Sequence, residues 1–134
     1  MKIEHACTED SEQLIKLDEY ITKEELAWLI KQKRVLVAKE GGSVLGWLRF
    51  GLFWDCIPFV NMLYVSEEHR NKSIGSRLVE SWQADMKAQG YTKLMTSTLS
   101  SESGQHFYRK FGFKDIGGFI LPDEPFEILF YKEI

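Results

Sequence analysis

Apolar positions along the chain change period several times, and each change marks an element. Residues 1–7 read as a short first strand, and Thr8 to Asp10 supplies capping residues for a helix over 11–20 whose apolar side is Leu14, Ile15 and Leu17. Thr22 stands three residues before Glu25, a capping box, and opens a second helix carrying Leu26, Trp28, Leu29 and Ile30. That helix ends in a basic run over 31–34, which complements its dipole as a solvated helix end. Residues 35–38 form a buried-strand run, 40–43 a Gly-Gly hairpin turn, and 44–53 the returning strand, so the first half reads as an antiparallel meander. Residues 54–58 turn the chain again, with Pro58 as the first residue of a central strand over 59–65.

Beyond a polar turn at 66–69 the period changes to that of a helix. Ile74, Leu78, Val79, Trp82 and Met86 share one face, Arg77, Glu80, Gln83 and Lys87 the other, and Gly90 is the C-cap. This helix is predicted to open within 70–76. A strand over 91–99 follows, which makes 61–99 a strand, helix and strand with a right-handed crossover and a parallel pair. The serines of 100–103 offer N-caps for a short helix ending at Phe111 and Gly112, with Phe107, Tyr108 and Phe111 three or four apart on it. Strands over 113–120 and 125–131, joined by 121–124, complete the chain.

Composition narrows what such a chain does. A length of 134 residues suits one domain, residues 1–134, burying roughly two-thirds of the unfolded surface. A 44% hydrophobic share against 28% charged disfavours wholesale disorder. The net charge of −3 speaks against a general nucleic-acid binder. The apolar region 44–65 is interrupted by Arg49, Asp55, Pro58 and Asn61, which reads as sheet core and not as a membrane span. No long apolar segment follows a basic start, and Cys7 and Cys56 read as free thiols; both point to the cytoplasm.

The chemistry gathers at the start of the third helix, where unpaired N–H groups, the dipole, Arg70 and Lys72 favour an anion. Neither the Gly-x-x-x-x-Gly-Lys string of a P-loop nor the Gly-x-Gly-x-x-Gly dinucleotide fingerprint is present, which removes nucleoside triphosphatase and dehydrogenase readings. No His, Cys, Asp and Glu cluster has metal-ligand spacing, and Cys56 has no paired histidine. What remains is Arg70, two residues, Ser73, one residue, Gly75, followed some thirty residues later by Phe107-Tyr108 and Gly112-Phe113.

In these two segments, and in the order of its elements, the chain resembles the GNAT superfamily of N-acetyltransferases. The resemblance implies an α/β (α+β) domain with a mixed, mostly antiparallel sheet of about seven strands, a splayed central parallel pair and about four helices. It implies acetyl-coenzyme A as co-substrate, its pyrophosphate held by Arg70, Asn71, Lys72, Ser73, Ile74, Gly75 and Ser76, and its pantetheine paired along Leu63, Tyr64 and Val65. Ser73 replaces the usual first glycine of the loop, Asn71 stands where many relatives have glycine, and Ser101 stands where relatives often carry a cofactor-binding Asn.

Tyr108 matches the family's general acid for the leaving thiolate, where without the resemblance it reads as a core aromatic on the face shared with Phe111, and a backbone N–H near Leu63 serves the oxyanion. The acceptor is then an amine, deprotonated through Asp55, Glu24 or Glu25 by way of water; Asp55 also reads as a plain turn residue and His106 as a surface residue. Trp28, Trp47, Phe50, Phe53 and Trp54 wall an acceptor pocket or fill the core. The alternatives are a non-catalytic acyl-coenzyme A binding module, and an acetylase directed at protein or transfer RNA, the latter opposed by the acidic balance. A homodimer would form through the apolar last strand, 126–131, if that strand lay at a sheet edge.

Overall fold

A computed structural model describes all 134 residues. Seven strands, β1 (Lys2–His5), β2 (Val35–Glu40), β3 (Ser43–Phe53), β4 (Ile57–Val65), β5 (Lys93–Leu99), β6 (Lys114–Phe119) and β7 (Glu127–Glu133), form one sheet. Their order is β1-β2-β3-β4-β5-β7-β6, with β4 and β5 parallel. The ladders β1–β2, β2–β3, β5–β7 and β6–β7 are antiparallel. The helices are α1 (Ser11–Leu17), α2 (Lys23–Lys31), α3 (Ile74–Ala88) and α4 (Gly104–Lys110). This is the mixed sheet and helix count expected from the sequence. No helix is long and apolar enough to cross a membrane, and both cysteines are free.

The chain divides into two compact units, the first made of Met1–Phe50 and Met62–Ala84, the second of Gly51–Asn61 and Asp85–Ile134. In the first, Leu14, Leu26, Val35, Val37, Val44 and Trp47 form a core cluster, against which Ile15, Ile21, Leu29, Ile30 and Met62 pack. Thr22 caps α2 as expected, its Oγ1 accepting the Glu25 N–H at 3.2 Å. Gly41 and Gly42, at φ +57° and +83°, make the tight turn between β2 and β3, a conformation that glycine enters without penalty.

Helix α1 stops at Leu17, three residues short of the expected end at position 20, and Leu17 is exposed. The cause is Asp18, which leaves the helix for an extended conformation and turns its carboxylate inward. There it accepts hydrogen bonds from Arg49 Nε at 2.7 Å and Nη2 at 3.4 Å, Trp47 Nε1 at 3.1 Å and the Tyr20 N–H at 3.1 Å. A helical continuation forfeits this set of charge-assisted bonds.

Strand β3 approaches the end of β4 closely at Gly46, where an added Cβ would lie 2.7 Å from the Tyr64 carbonyl oxygen. Backbone on both sides leaves little room to adjust. Gly46→Ala is expected to destabilise the protein by about 1–3 kcal/mol, read from urea denaturation.

In the second unit the parallel ladder of β4 and β5 consists of Phe59–Met95 and Val60–Thr96, whereas β5 pairs with β7 along its full length, from Lys93–Glu133 to Leu99–Glu127. Strand β4 begins at Ile57, one residue before Pro58, because the residue preceding a proline is itself biased to extended backbone. Strand β7 lies between β5 and β6, so the edge position on which a dimer through the last strand depended is not met, and its backbone groups are taken on both sides. The edge is β6, where the register shifts between Asp115 and Gly117.

Helices α3 and α4 end alike. Gly90 and Gly112, both at φ +95°, follow their last turns, and the next N–H groups, of Tyr91 and Phe113, bond back to the carbonyls of Met86 (3.1 Å) and Tyr108 (3.0 Å). These are Schellman closures, which satisfy the free carbonyls of each helix end.

Candidate functional site

Strand β4 ends at Val65, and the chain turns through Ser66, whose N–H bonds to the Leu45 carbonyl at 2.8 Å and whose Oγ meets His69 Nδ1 at 2.6 Å. Asn71 and Ser73 then adopt left-handed backbone, φ +63° and +62°, with Lys72 between them at negative φ. Left-handed residues are a common component of the backbone nests that bind anions. Left-handed backbone is also incompatible with a right-handed helix, so α3 opens only at Ile74, inside the expected stretch 70–76.

The Arg77 N–H reaches the Ser73 carbonyl at 3.0 Å, which makes Ser73 the N-cap and puts the N–H groups of Ile74, Gly75 and Ser76 in the first turn, without intrahelical acceptors. Ile74 anchors this turn by its buried side chain, while Asn71, Lys72 and Ser73 are exposed. A helix N-terminus, two left-handed residues and Lys72 therefore coincide within six residues, 71–76.

Arg70 plays a different part from a free phosphate ligand. Its Nε donates to the Val65 carbonyl at 2.9 Å, and its guanidinium lies over the Tyr64 ring, 5.3 Å from the centroid. Tyr64 in turn packs on Trp47 at 4.9 Å between centroids, and Trp47 is bonded to Asp18. Arg70 thus fastens the loop to the end of β4, beside Leu63 and Val65, which are half-buried.

Ser73 holds a conformation that costs a side-chain-bearing residue about 1–2 kcal/mol. Ser73→Gly removes that strain. We expect a stability gain of about 1 kcal/mol in thermal or urea unfolding and tighter anion binding at the loop.

In the second unit Tyr108 sits on α4 with its side chain buried among Phe107, Phe113 and Phe130, at centroid distances of 5.2, 5.4 and 6.2 Å. Burial pushes its phenol up to about 12, against a smaller opposite effect of a hydrogen bond with the Thr96 side chain. Tyr108 is therefore fully protonated at neutral pH. Ser103 stands at the N-cap of α4 with helical backbone and no side-chain cap, so the serines do not serve as expected. The turn is held instead by Glu102, which accepts the Leu99 N–H at 3.1 Å, and by Gln105, which donates to the Ser100 and Glu102 carbonyls at 2.8 Å each. Ser101 is exposed on this turn, and His106 is exposed on α4.

Glu24 and Glu25 are exposed in the first turn of α2, and Asp55 is exposed in a left-handed turn with Trp54. Of the aromatic residues, Trp47 and Phe50 are core, Phe53 is half-buried, and Trp28 and Trp54 are exposed. No cluster of three or more His, Cys, Asp or Glu side chains is arranged to hold a metal ion. Two groups escaped the sequence reading, the Asp18–Arg49–Trp47 set and Thr96. An arginine inside an otherwise apolar strand was the available signal for the first, since it requires a buried acidic partner.

Comparison with known proteins gives a consistent picture. A family model described as an acetyltransferase (GNAT) domain matches residues 31–115. An uncharacterized N-acetyltransferase of Chlorobaculum tepidum is 32% identical over 80 residues, 60% of this chain and 49% of the relative, so the chain spans about half the length of that relative. Among solved structures, Ard1 from Thermoplasma volcanium superimposes with a TM-score of 0.86 at 18% identity, covering 99% of this chain and 97% of the other. PaiA N-acetyltransferase from Thermoplasma acidophilum, solved in complex with coenzyme A, gives 0.84 at 22% identity over 99% and 98%. A GNAT-family acetyltransferase from Bacillus cereus gives 0.78 at 26% identity over 98% and 96%.

Proposed function

The chain belongs to the GNAT acetyltransferase family, and on that premise we propose that it transfers the acetyl group of acetyl-coenzyme A directly to a primary amine. The observation that carries the reading is the left-handed, small-residue loop at 71–73 leading into the N-terminus of α3, which fits a pyrophosphate: the first-turn N–H groups have no intrahelical acceptor, the loop side chains are small or cationic, and no carboxylate interrupts it. The coenzyme A bound to the Thermoplasma acidophilum protein supports the same ligand class here. Acetyl-coenzyme A, when bound, supplies the activated thioester.

Every other role falls to the chain. Residues 70–76 hold the pyrophosphate, with Arg70 acting through Val65 and Tyr64, and the backbone of Leu63, Tyr64 and Val65 pairs with the pantetheine amides. The Leu63 N–H donates to the developing oxyanion, Ser101 adds one hydrogen-bond donor, and Tyr108 protonates the departing thiolate. A lysine-like acceptor must lose its proton first, at about 4–5 kcal/mol at pH 7, so weakly basic amines should react most readily.

Calorimetry with coenzyme A, followed by release of free thiol across a panel of primary amines, tests the reading. Binding with turnover on at least one amine is expected. Binding without turnover on any amine would favour an acyl-coenzyme A binding module, and absence of binding in both wild type and Ser73→Gly would remove the cofactor assignment.

A further inference from the structure

Directly paired residues on neighbouring strands share a face of the sheet, so the registers of the second unit assign its two sides. One side carries Val60, Thr96 and Phe130 in one row and Thr98 and Ile128 in the next, all buried, with Tyr108 of α4 packed on Phe130. The other side carries the rows Phe59–Met95–Tyr131, Ser97–Leu129–Gly117 and Leu99–Glu127–Phe119. Of these residues only Met95 is buried; Leu99, Glu127 and Leu129 are half-buried, and Gly117 and Phe119 are exposed. An antiparallel face left to water ordinarily bears polar side chains, yet Leu99, Leu129 and Phe119 stand on this one. Beside Leu129 the space is open, since no atom lies within 4 Å of where a Gly117 Cβ would be.

Glu127 interrupts the apolar row between Leu99 and Phe119. Its carboxylate enters no hydrogen bond or ion pair within the chain, and residues 115–131 include no lysine or arginine. A half-buried carboxylate among apolar side chains calls for a cation, which here a ligand can supply. The row lies beyond Val60–Thr96, the last pair of the β4–β5 ladder, where β5 is laddered with β7 alone. Tyr108 packs on the opposite side, so a ligand on this side leaves the phenol undisturbed.

We propose that this open side of the second unit seats the acceptor, and that the acceptor is a primary amine on an aromatic body: the ring rests on Leu99, Leu129 and Phe119, and the ammonium pairs with Glu127. This rests on the acetyl-transfer reading above and narrows its substrate class. A flat apolar surface with one placed charge selects a ring and a cation together, whereas a polyamine would forfeit the apolar contact and an aromatic alcohol the charge.

Binding is read apart from turnover. With leucine methyl groups labelled, the resonances of Leu99 and Leu129 are identified through Leu99→Ile and Leu129→Ile, and the protein is titrated with 2-phenylethylamine in the presence of coenzyme A. Both resonances should shift, ethylamine and 2-phenylethanol should each bind at least tenfold more weakly, and Glu127→Gln should weaken the amine about tenfold without affecting the alcohol. Unmoved resonances, or equal titration by amine and alcohol, overturn the proposal. In turnover, Glu127→Gln should raise KM for 2-phenylethylamine about tenfold with KM for acetyl-coenzyme A unchanged, and Glu127→Asp should recover most of the loss. Phe119→Ala, at an exposed position, should cut the preference for 2-phenylethylamine over ethylamine about fivefold; an unchanged preference overturns the ring seat. Faster acetylation of spermidine or of a lysine peptide than of 2-phenylethylamine overturns the substrate class. Shifts at Leu99 and Leu129 without turnover on any amine would strike the acetyl-transfer reading and leave an amine site, whereas turnover without those shifts would strike the site and leave the reading.

Discussion

Phenylalanine at position 108 is expected to leave coenzyme A affinity almost unchanged while slowing turnover about 100-fold, the lower range for loss of a general acid. The substitution keeps the ring and its packing on Phe113 and Phe130, so a kcat effect without a binding effect isolates the hydroxyl. Turnover equal to wild type would take Tyr108 out of the mechanism. Burial raises the phenol to about 12, so it stays protonated through pH 10, where an exposed tyrosine titrates, and no alkaline fall in rate should come from Tyr108 below that point. The same shift has a stability consequence. Above pH 10 the unfolded chain releases this proton and the folded chain retains it, so stability falls as pH rises from 10 towards 12.

Alanine at position 18 is expected to destabilise the protein by about 3–5 kcal/mol, because it leaves the Arg49 guanidinium buried without its carboxylate. The Trp47 indole N–H and the Tyr20 N–H lose their acceptor as well. Urea denaturation reads the loss, and a change below about 1 kcal/mol would show that Arg49 finds water or another acceptor. Burial by itself would raise the Asp18 carboxyl, but the bonds from Arg49, Tyr20 and Trp47 outweigh it and hold the group below the ordinary carboxylate range. The stability it contributes is therefore present above about pH 4 and is lost as pH falls through the lowered value. Asp10, bonded to Lys39 at 2.7 Å, is lowered for a similar reason and adds to the acid sensitivity.

The order and type of every strand and helix were legible because each apolar stripe survived in its own period, as in Ile74, Leu78, Val79, Trp82 and Met86, all buried on α3. Boundaries failed where a distant group decided them. Asp18 ends α1 for the sake of Arg49, thirty-one residues away, and no local propensity encodes that choice. Asn71 was readable as a left-handed residue, whereas Ser73 was not, since serine rarely accepts that backbone without a loop that imposes it. Whether the last strand lay at an edge was not readable, because apolar content says nothing about which neighbour covers a strand. Tyr108 was visible through its neighbours in sequence, but Thr96 read only as a β-branched strand residue, its hydroxyl bonding across the ladder to the Val60 carbonyl.

The Asp18–Arg49–Trp47 set also bears on how this sequence can change over generations. Loss of either charged member alone passes through a chain with an unpaired buried ion, whereas replacing both by apolar residues of similar volume need not be harmful. Descendants should therefore keep positions 18 and 49 together or exchange them together, and a library selected for folding alone would show the two sites as strongly epistatic.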